Sequence, residues 1–245
     1  MFSPIKTLAQ LYLYRRPFLL NQKINIACDC RCKFCNTWQI KEEPESLLDR
    51  AETQSLIDRA ARAGMLSYSM WGGEPLLRED APAIMAHARK QGFFTTISTN
   101  GSLLRDRADE LLPHTTLFLV SLDGIGKTHD QVRGSPGLFD KVVDGIGFLR
   151  SRGGRVRIFY NVNTTTAPDV AESARLARDL GVSIFFYPMV KNPGYNDRLV
   201  LEGDSHRETF DLILRLKSEG FPVINLAGYL KVIREDVEFP LYRNR

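Results

Sequence analysis

Six short apolar segments, each followed by an amphipathic one, leave few architectures open to this chain. The apolar runs cover 23–27, 66–71, 93–99, 117–122, 155–163 and 182–190. Helical spacing of apolar residues covers 46–63, 79–91, 105–112, 139–151, 169–180 and 205–218. A glycine or proline closes each helical stretch: Gly64, Gly92, Pro113, Gly153, Gly181 and Gly220. Strands that alternate with helices pair in parallel through right-handed crossovers, so the expected class is α/β. The remaining stretches read as a helix at 4–14 with a turn at Arg15-Arg16-Pro17, a polar connection containing Pro44, and a long loop at 125–138. A seventh short strand is expected at 221–226 and a last helix at 229–234. With 43% hydrophobic residues, 245 residues suffice for one full core. The expected division is an N-terminal helical extension at 1–21, a core at 22–226 and a helix with tail at 227–245.

The first four strands end in conspicuous polar or glycine-rich signals. They are Cys28-Asp29-Cys30-Arg31-Cys32-Lys33-Phe34-Cys35, Gly72-Gly73-Glu74-Pro75, Thr99-Asn100-Gly101 and Ser121-Leu122-Asp123-Gly124. Parallel α/β sheets carry their chemistry at the C-terminal ends of strands, so these four signals are expected at one mouth.

All four cysteines of the chain fall within the first signal. Disulfides between such close neighbours would close strained rings and staple almost nothing. Crowding of this kind points to a metal centre. A structural zinc site usually takes two separated pairs, whereas Cys30 and Cys32 flank a single residue and point awkwardly for one tetrahedron. An electron-transfer [4Fe–4S] site takes four thiolates. Cys28, Cys32 and Cys35, spaced C-x3-C-x2-C, supply three and leave one iron open for a small molecule. Cys30 is either a substitute ligand or a bystander thiol, and the family resemblance given below implies the bystander.

The net charge of +4 is spread along the chain without a basic block, so nucleic-acid binding is not indicated. No apolar run reaches the roughly 18–20 residues of a membrane span. The first twenty residues, interrupted by Lys6, Arg15 and Arg16, lack the layout of a signal peptide. Reduced cysteines and no export signal set the expected location as cytoplasmic.

The C-x3-C-x2-C spacing, with Phe34 before the last cysteine and Gly72-Gly73-Glu74-Pro75 at the next strand end, resembles the radical S-adenosylmethionine (SAM) superfamily. His129-Asp130-Gln131-Val132-Arg133-Gly134 is similar to the H-D-x-h-R-G stretch of its sulfatase-maturing and peptide-modifying branch. The resemblance covers about 23–190. It implies a partial (β/α)6 barrel, a [4Fe–4S] cluster on Cys28, Cys32 and Cys35, and SAM bound to the open iron. It also implies reductive cleavage of SAM to methionine and a 5′-deoxyadenosyl radical that takes hydrogen from a substrate. The expected electron donor is a flavodoxin or ferredoxin.

Residue roles follow from side-chain chemistry in that setting. Gly72 and Gly73 let the backbone approach closely; Glu74 accepts from the SAM ammonium or braces the turn, and Pro75 fixes its exit. Ser121 and Arg133 suit the SAM carboxylate. Thr99 and Asn100 suit the ribose or the methionine end, and Phe34 covers the cluster or stacks on adenine. Asn161 and Asn163 share one strand face, as do Tyr187 and Met189, and either asparagine suits the ribose. Asp123 reads first as a turn-former before Gly124 and second as an active-site carboxylate toward substrate; Trp38 reads as packing behind the loop, and the four histidines as non-ligands. A peptide or protein side chain is the first expected substrate and a lipid the second, the latter from the apolar residues of 1–20. With no cysteine after Cys35, the chain as given holds one cluster and lacks the cysteine-rich C-terminal extension of some peptide-modifying relatives. The rival readings are a non-catalytic iron–sulfur or zinc protein and an iron–sulfur electron carrier on the same fold.

Overall fold

The computed structural model describes residues 17–40, 47–192 and 194–235. Fourteen elements carry the site: β1 (Leu19–Lys23), α1 (Arg50–Arg62), β2 (Ser67–Trp71), α2 (Ala81–Lys90), β3 (Phe94–Thr99), α3 (Leu104–Leu111), β4 (Leu117–Ser121), α4 (Lys127–Arg133), α5 (Leu138–Ser151), β5 (Val156–Val162), α6 (Val170–Asp179), β6 (Ser183–Pro188), α7 (Gly203–Ser218) and α8 (Ala227–Glu235). The six strands form one parallel sheet in the order β1 to β6, the partial (β/α)6 barrel expected from the alternation. The residues gather into two compact units. One is Met1–Cys30, Asn36–Val120 and Lys141–Val156; the other is Arg31–Cys35, Ser121–Asp140 and Arg157–Arg245. The expected helix at 4–14, its turn at Arg15-Arg16, Pro44 and the tail beyond 235 lie outside the described residues.

In the first unit, β1 pairs with β2, β2 with β3 and β3 with β4. Tyr68, Met70, Thr95, Ile97, Phe118 and Val120 point to one face and are fully buried. Ile57 of α1, Ile84 and Met85 of α2 and Leu104 of α3 belong to the same core. α1 starts on a capping box: Asp49 accepts from the Glu52 N–H, and Glu52 accepts from the Asp49 N–H. The opposite sheet face is more open and carries Leu19, Asn21, Lys23, Ser69, Trp71 and Ser98.

In the second unit β5 pairs with β6. Ile158, Tyr160, Val162, Ile184 and Phe186 are buried on one face, with Val170, Ala174 and Ala177 of α6 and Phe210 of α7. The other face carries a row of aromatic rings. Tyr187 lies 6.1 Å from Phe159, Phe159 lies 5.3 Å from Phe185, and Phe185 lies 5.6 Å from Tyr229.

Three sequence expectations change. The first strand ends at Lys23, where the expected strand began, and 24–27 run on as irregular backbone. The loop expected at 125–138 contains α4, a seven-residue helix whose end is set by left-handed Gly134. The seventh strand at 221–226 is absent apart from one bridge between Ile184 and Val223. Pro222 has no N–H to offer a ladder, and the Asn225 side chain takes over the pairing by accepting from Phe186 N and donating to Phe186 O.

Candidate cluster and cofactor site

The cysteine stretch divides between the two units after Cys30. Its first half is held by the end of β2. Ile24 N donates to Trp71 O, Gly73 N to Asn25 O and Glu74 N to Ala27 O, and the Asn25 side chain donates to Glu74 O at 2.7 Å. These bonds require the glycines. A Cβ on Gly73 would stand 2.2 Å from both Ile26 O and Ala27 O, and one on Gly72 would stand 2.1 Å from Asn25 Oδ1. The Gly-Gly turn therefore positions the backbone that delivers Cys28.

Glu74 braces this turn and joins it to the end of β3. Its Oε1 accepts from Leu76 N (3.0 Å) and Thr99 Oγ1 (2.8 Å), and its Oε2 accepts from Asn100 N (2.6 Å). Burial pushes the Glu74 carboxyl up to about 7, against these three donors. Pro75 opens the short 3-10 turn at Pro75–Leu77. Asn100 links this brace to the cysteines: its Nδ2 donates to Asp29 Oδ1 at 2.7 Å and reaches Cys28 Sγ at 3.9 Å. Cys30 is buried, and its thiol hydrogen-bonds to Cys28. That bond holds the Cys28 thiol down to about 6, against burial.

The second half of the stretch is strapped to α4. Arg31 N donates to Arg133 O and Lys33 N to Val132 O. Gly134 permits this approach, since a Cβ there would stand 2.4 Å from Arg31 O. The Arg133 guanidinium is buried. Its Nε donates to Asp123 Oδ2 at 2.7 Å, its NH2 makes a second ion-pair contact with the same oxygen, and its NH1 reaches Cys32 Sγ at 3.9 Å. It also lies 5.2 Å from the ring of half-buried Phe34. Burial opposes the Arg133 charge, but the Asp123 carboxylate, with Cys32 in its ionised form, outweighs it and pushes the group up. Asp123 Oδ1 accepts from Asn161 N at 2.6 Å. The Asp123 backbone N–H donates to His129 Nδ1 at 2.9 Å, so His129 is neutral and carries its proton on Nε2. Burial, with Arg133 nearby, holds His129 down to about 3.

The first unit thus gathers Cys28, Gly72, Gly73, Glu74, Pro75, Thr99 and Asn100, and the second gathers Cys32, Phe34, Cys35, Arg133 and Asn161. Ser121 is half-buried at the end of β4. Asn163 is occupied locally: its Oδ1 accepts from Thr165 N, and its Nδ2 donates to Asn161 Oδ1. Burial pushes Tyr187 up, and the Asn161 side chain is bonded to it. Asp123 does not form the turn before Gly124; it carries Arg133. Asn25 and the His129–Asp123 pair were not singled out from sequence. The signal for Asp123 was the alternation Ser121-Leu122-Asp123, which puts a carboxylate on the same side as Ser121 at the end of an apolar strand.

The donor set fits an iron–sulfur cluster. Cys28, Cys32 and Cys35 are free thiols, and amide and guanidinium N–H groups point at two of the three sulfurs. Among the described residues no three His, Cys, Asp or Glu side chains are gathered for a metal ion. A cluster takes its thiolates one per iron rather than around a single ion. Among the described residues no helix is long and apolar enough to cross a membrane.

Comparison with known proteins decides the family. The profile of the Radical SAM superfamily matches residues 24–177. The chain belongs to the Radical SAM superfamily. Fe-coproporphyrin III synthase of Methanosarcina barkeri (strain Fusaro / DSM 804) is 31% identical over 230 residues, which are 86% of this chain and 57% of that protein. The sporulation killing factor maturation protein SkfB of Bacillus subtilis (strain 168) is 26% identical over 69% of this chain and 42% of its own. The crystal structure of Streptococcus suis SuiB bound to S-adenosylmethionine superposes with a TM-score of 0.74 at 18% identity, over 89% of this chain and 53% of that one, a likeness of fold. The chain spans about half the length of the curated relatives it matches. Radical SAM proteins are enzymes that use SAM and a [4Fe–4S] cluster, which agrees with the donor set above.

Proposed function

We propose that this chain is the catalytic core of a radical SAM enzyme, with its cluster on Cys28, Cys32 and Cys35. The observation that carries the proposal is the pair of N–H donors, Asn100 Nδ2 and Arg133 NH1, each 3.9 Å from a different cysteine sulfur. Such donors stabilise cluster thiolates, and Cys30 stays a thiol that hydrogen-bonds Cys28. When bound, the cluster supplies one electron that breaks a carbon–sulfur bond of SAM, releasing methionine and a 5′-deoxyadenosyl radical that takes hydrogen from the substrate.

The residues of the chain bind, orient and shield. Gly72 and Gly73 hold Cys28 and present backbone groups to the SAM ammonium. Glu74 and Pro75 keep that turn rigid, and Thr99 and Asn100 fix the strand end beside it. Arg133, pre-set by Asp123, and the Ser121 hydroxyl take the SAM carboxylate. Phe34 shields the sulfurs from water. Asn161 offers its amide to the ribose, with Asn163 and Tyr187 setting its orientation. A flavodoxin or ferredoxin delivers the electron, and the enzyme works in the cytoplasm.

The substrate we propose is a carboxylate-bearing tetrapyrrole. Support comes from Fe-coproporphyrin III synthase, matched over 86% of this chain and 57% of its own length. A peptide substrate is the second reading, favoured by the His129–Gly134 stretch and the match to SkfB.

The test is anaerobic cluster reconstitution followed by reduction in the presence of SAM. 5′-Deoxyadenosine is expected well above a Cys32→Ala control. None above that control, with a verified cluster, overturns the proposal; reversible redox cycling without SAM turnover would identify an electron carrier instead.

A further inference from the structure

Lys23 ends β1 and Trp71 ends β2, and the two are register partners in the sheet. The Lys23 ammonium lies 5.8 Å from the centroid of the indole ring. Trp71 is 39% exposed, whereas Tyr68 and Met70 on the other face of the same strand are fully buried. The two strand ends run directly into the cysteine lead-in and the Gly-Gly turn. Parallel sheets collect substrates at this end.

The surroundings of the pair are specific. On the same face as Trp71 stand hydroxyl side chains, half-buried Ser69 and Ser98 and buried Thr96. Among the described residues Lys23 makes no ion pair, whereas Arg78, Arg107 and Arg133 each have a carboxylate partner. The strand end therefore offers a partly exposed aromatic ring and, over it, a cation with no carboxylate partner among the described residues.

We propose that this pair is a substrate-docking site: Trp71 stacks on the flat ring of a tetrapyrrole, and Lys23 binds a carboxylate carried on the ring edge. Coproporphyrin-type rings, edged with propionates, have both features. The inference rests on the tetrapyrrole reading above and goes further by naming the two residues that recognise ring and carboxylate. An acidic peptide would use Lys23 but has no extended flat ring for Trp71. The exposed indole favours the tetrapyrrole.

The test uses the cluster-reconstituted chain. The sequence has two tryptophans, Trp38 and Trp71, so a Trp38→Phe background reports on Trp71 alone. Fe-coproporphyrin III is titrated against indole emission, in parallel with its methyl ester and an acidic peptide. The free acid is expected to quench Trp71. Lys23→Gln should bind it about 10-fold more weakly, and Lys23→Glu more weakly still. The methyl ester should bind the parent and Lys23→Gln alike; Trp71→Leu, which leaves no indole in that background and is read by the Soret band of the ring instead, should weaken both ring compounds. Equal affinity of the parent and Lys23→Glu for the free acid overturns the proposal. So does Lys23-dependent binding of the peptide without binding of either ring. Substrate-free 5′-deoxyadenosine release by the parent is scored separately. Its absence alongside Lys23-dependent ring binding defeats only the radical SAM proposal; its presence without such binding defeats only this one.

Discussion

Glu74 and His129 are buried titratable groups whose pH dependences run in opposite directions. Glu74 accepts three hydrogen bonds at the end of β2, and its carboxyl stands at about 7 against an ordinary 4.5. The folded chain therefore keeps a proton that the unfolded chain releases, so this contribution is present below pH 4.5 and lost as pH rises through 7. Its size across the window is about 3 kcal/mol. Glu74→Gln should abolish that slope. It should also cost about 1–3 kcal/mol near pH 8, because one amino group would face a backbone N–H. Urea denaturation at both ends of the window checks both outcomes. His129, faced by the Asp123 N–H, the Arg133 guanidinium and the Phe139 ring, stands at about 3 against 6.5. Its contribution is present above pH 6.5 and lost as pH falls toward 3, by up to about 4–5 kcal/mol. His129→Asn keeps an acceptor for the Asp123 N–H and should flatten the acid limb of the stability curve. The two windows overlap between 4.5 and 6.5, so the wild-type profile there is the difference of two slopes, and only the single variants separate them.

At the scale of elements, α4 acts as a strap for the second half of the cysteine stretch. Gly134 and Gly137 both have positive φ, +61° and +76°, but only Gly134 sits against the strap, on Arg31 O. Gly137→Ala should cost the conformational penalty alone, about 1–2 kcal/mol, with normal iron loading. Gly134→Ala should pay that penalty and also lose most of its iron, measured as iron and sulfide per chain after reconstitution. Equal loading of the two variants would show that α4 does not hold the cysteines. The alternation of strand and helix was legible in the sequence because apolar periodicity and glycine stops are local signals. α4 was not, because seven residues give too few turns for a period to register. The segment 221–226 looked like a strand because Val223 and Ile224 are apolar, while the partner that replaces the ladder is the Asn225 side chain. The site divides in the same way. The cysteines and the Gly-Gly turn were legible as residue types. The bracing of the turn by Glu74 was legible too, but not its reach to Thr99, 25 residues away, nor the duties of Asn100 and Asp123, whose partners lie 72 residues away at Cys28 and 38 at Asn161.

For the whole molecule, one cysteine stretch depends on two units, Cys28 and Cys30 on one and Cys32 and Cys35 on the other. Cys28→Ser, Cys32→Ser and Cys35→Ser should each lose the cluster, whereas Cys30→Ser should keep about four irons per chain. Retention in Cys28→Ser with loss in Cys30→Ser would reassign the ligands. The long separation between the cysteines and the groups that fix them also bears on biogenesis. Asn100 follows Cys28 by 72 residues, and Arg133 follows Cys32 by 101. At about 5–20 residues per second of synthesis, roughly 5–20 s pass between translation of Cys32 and translation of the arginine that secures it. For about the first two thirds of that interval the nascent thiols have neither partner, and for the rest they lack the guanidinium. On the proposed ligand set, oxygen reaching the chain during synthesis is expected to lower the yield of loaded protein without changing the stability of the finished fold.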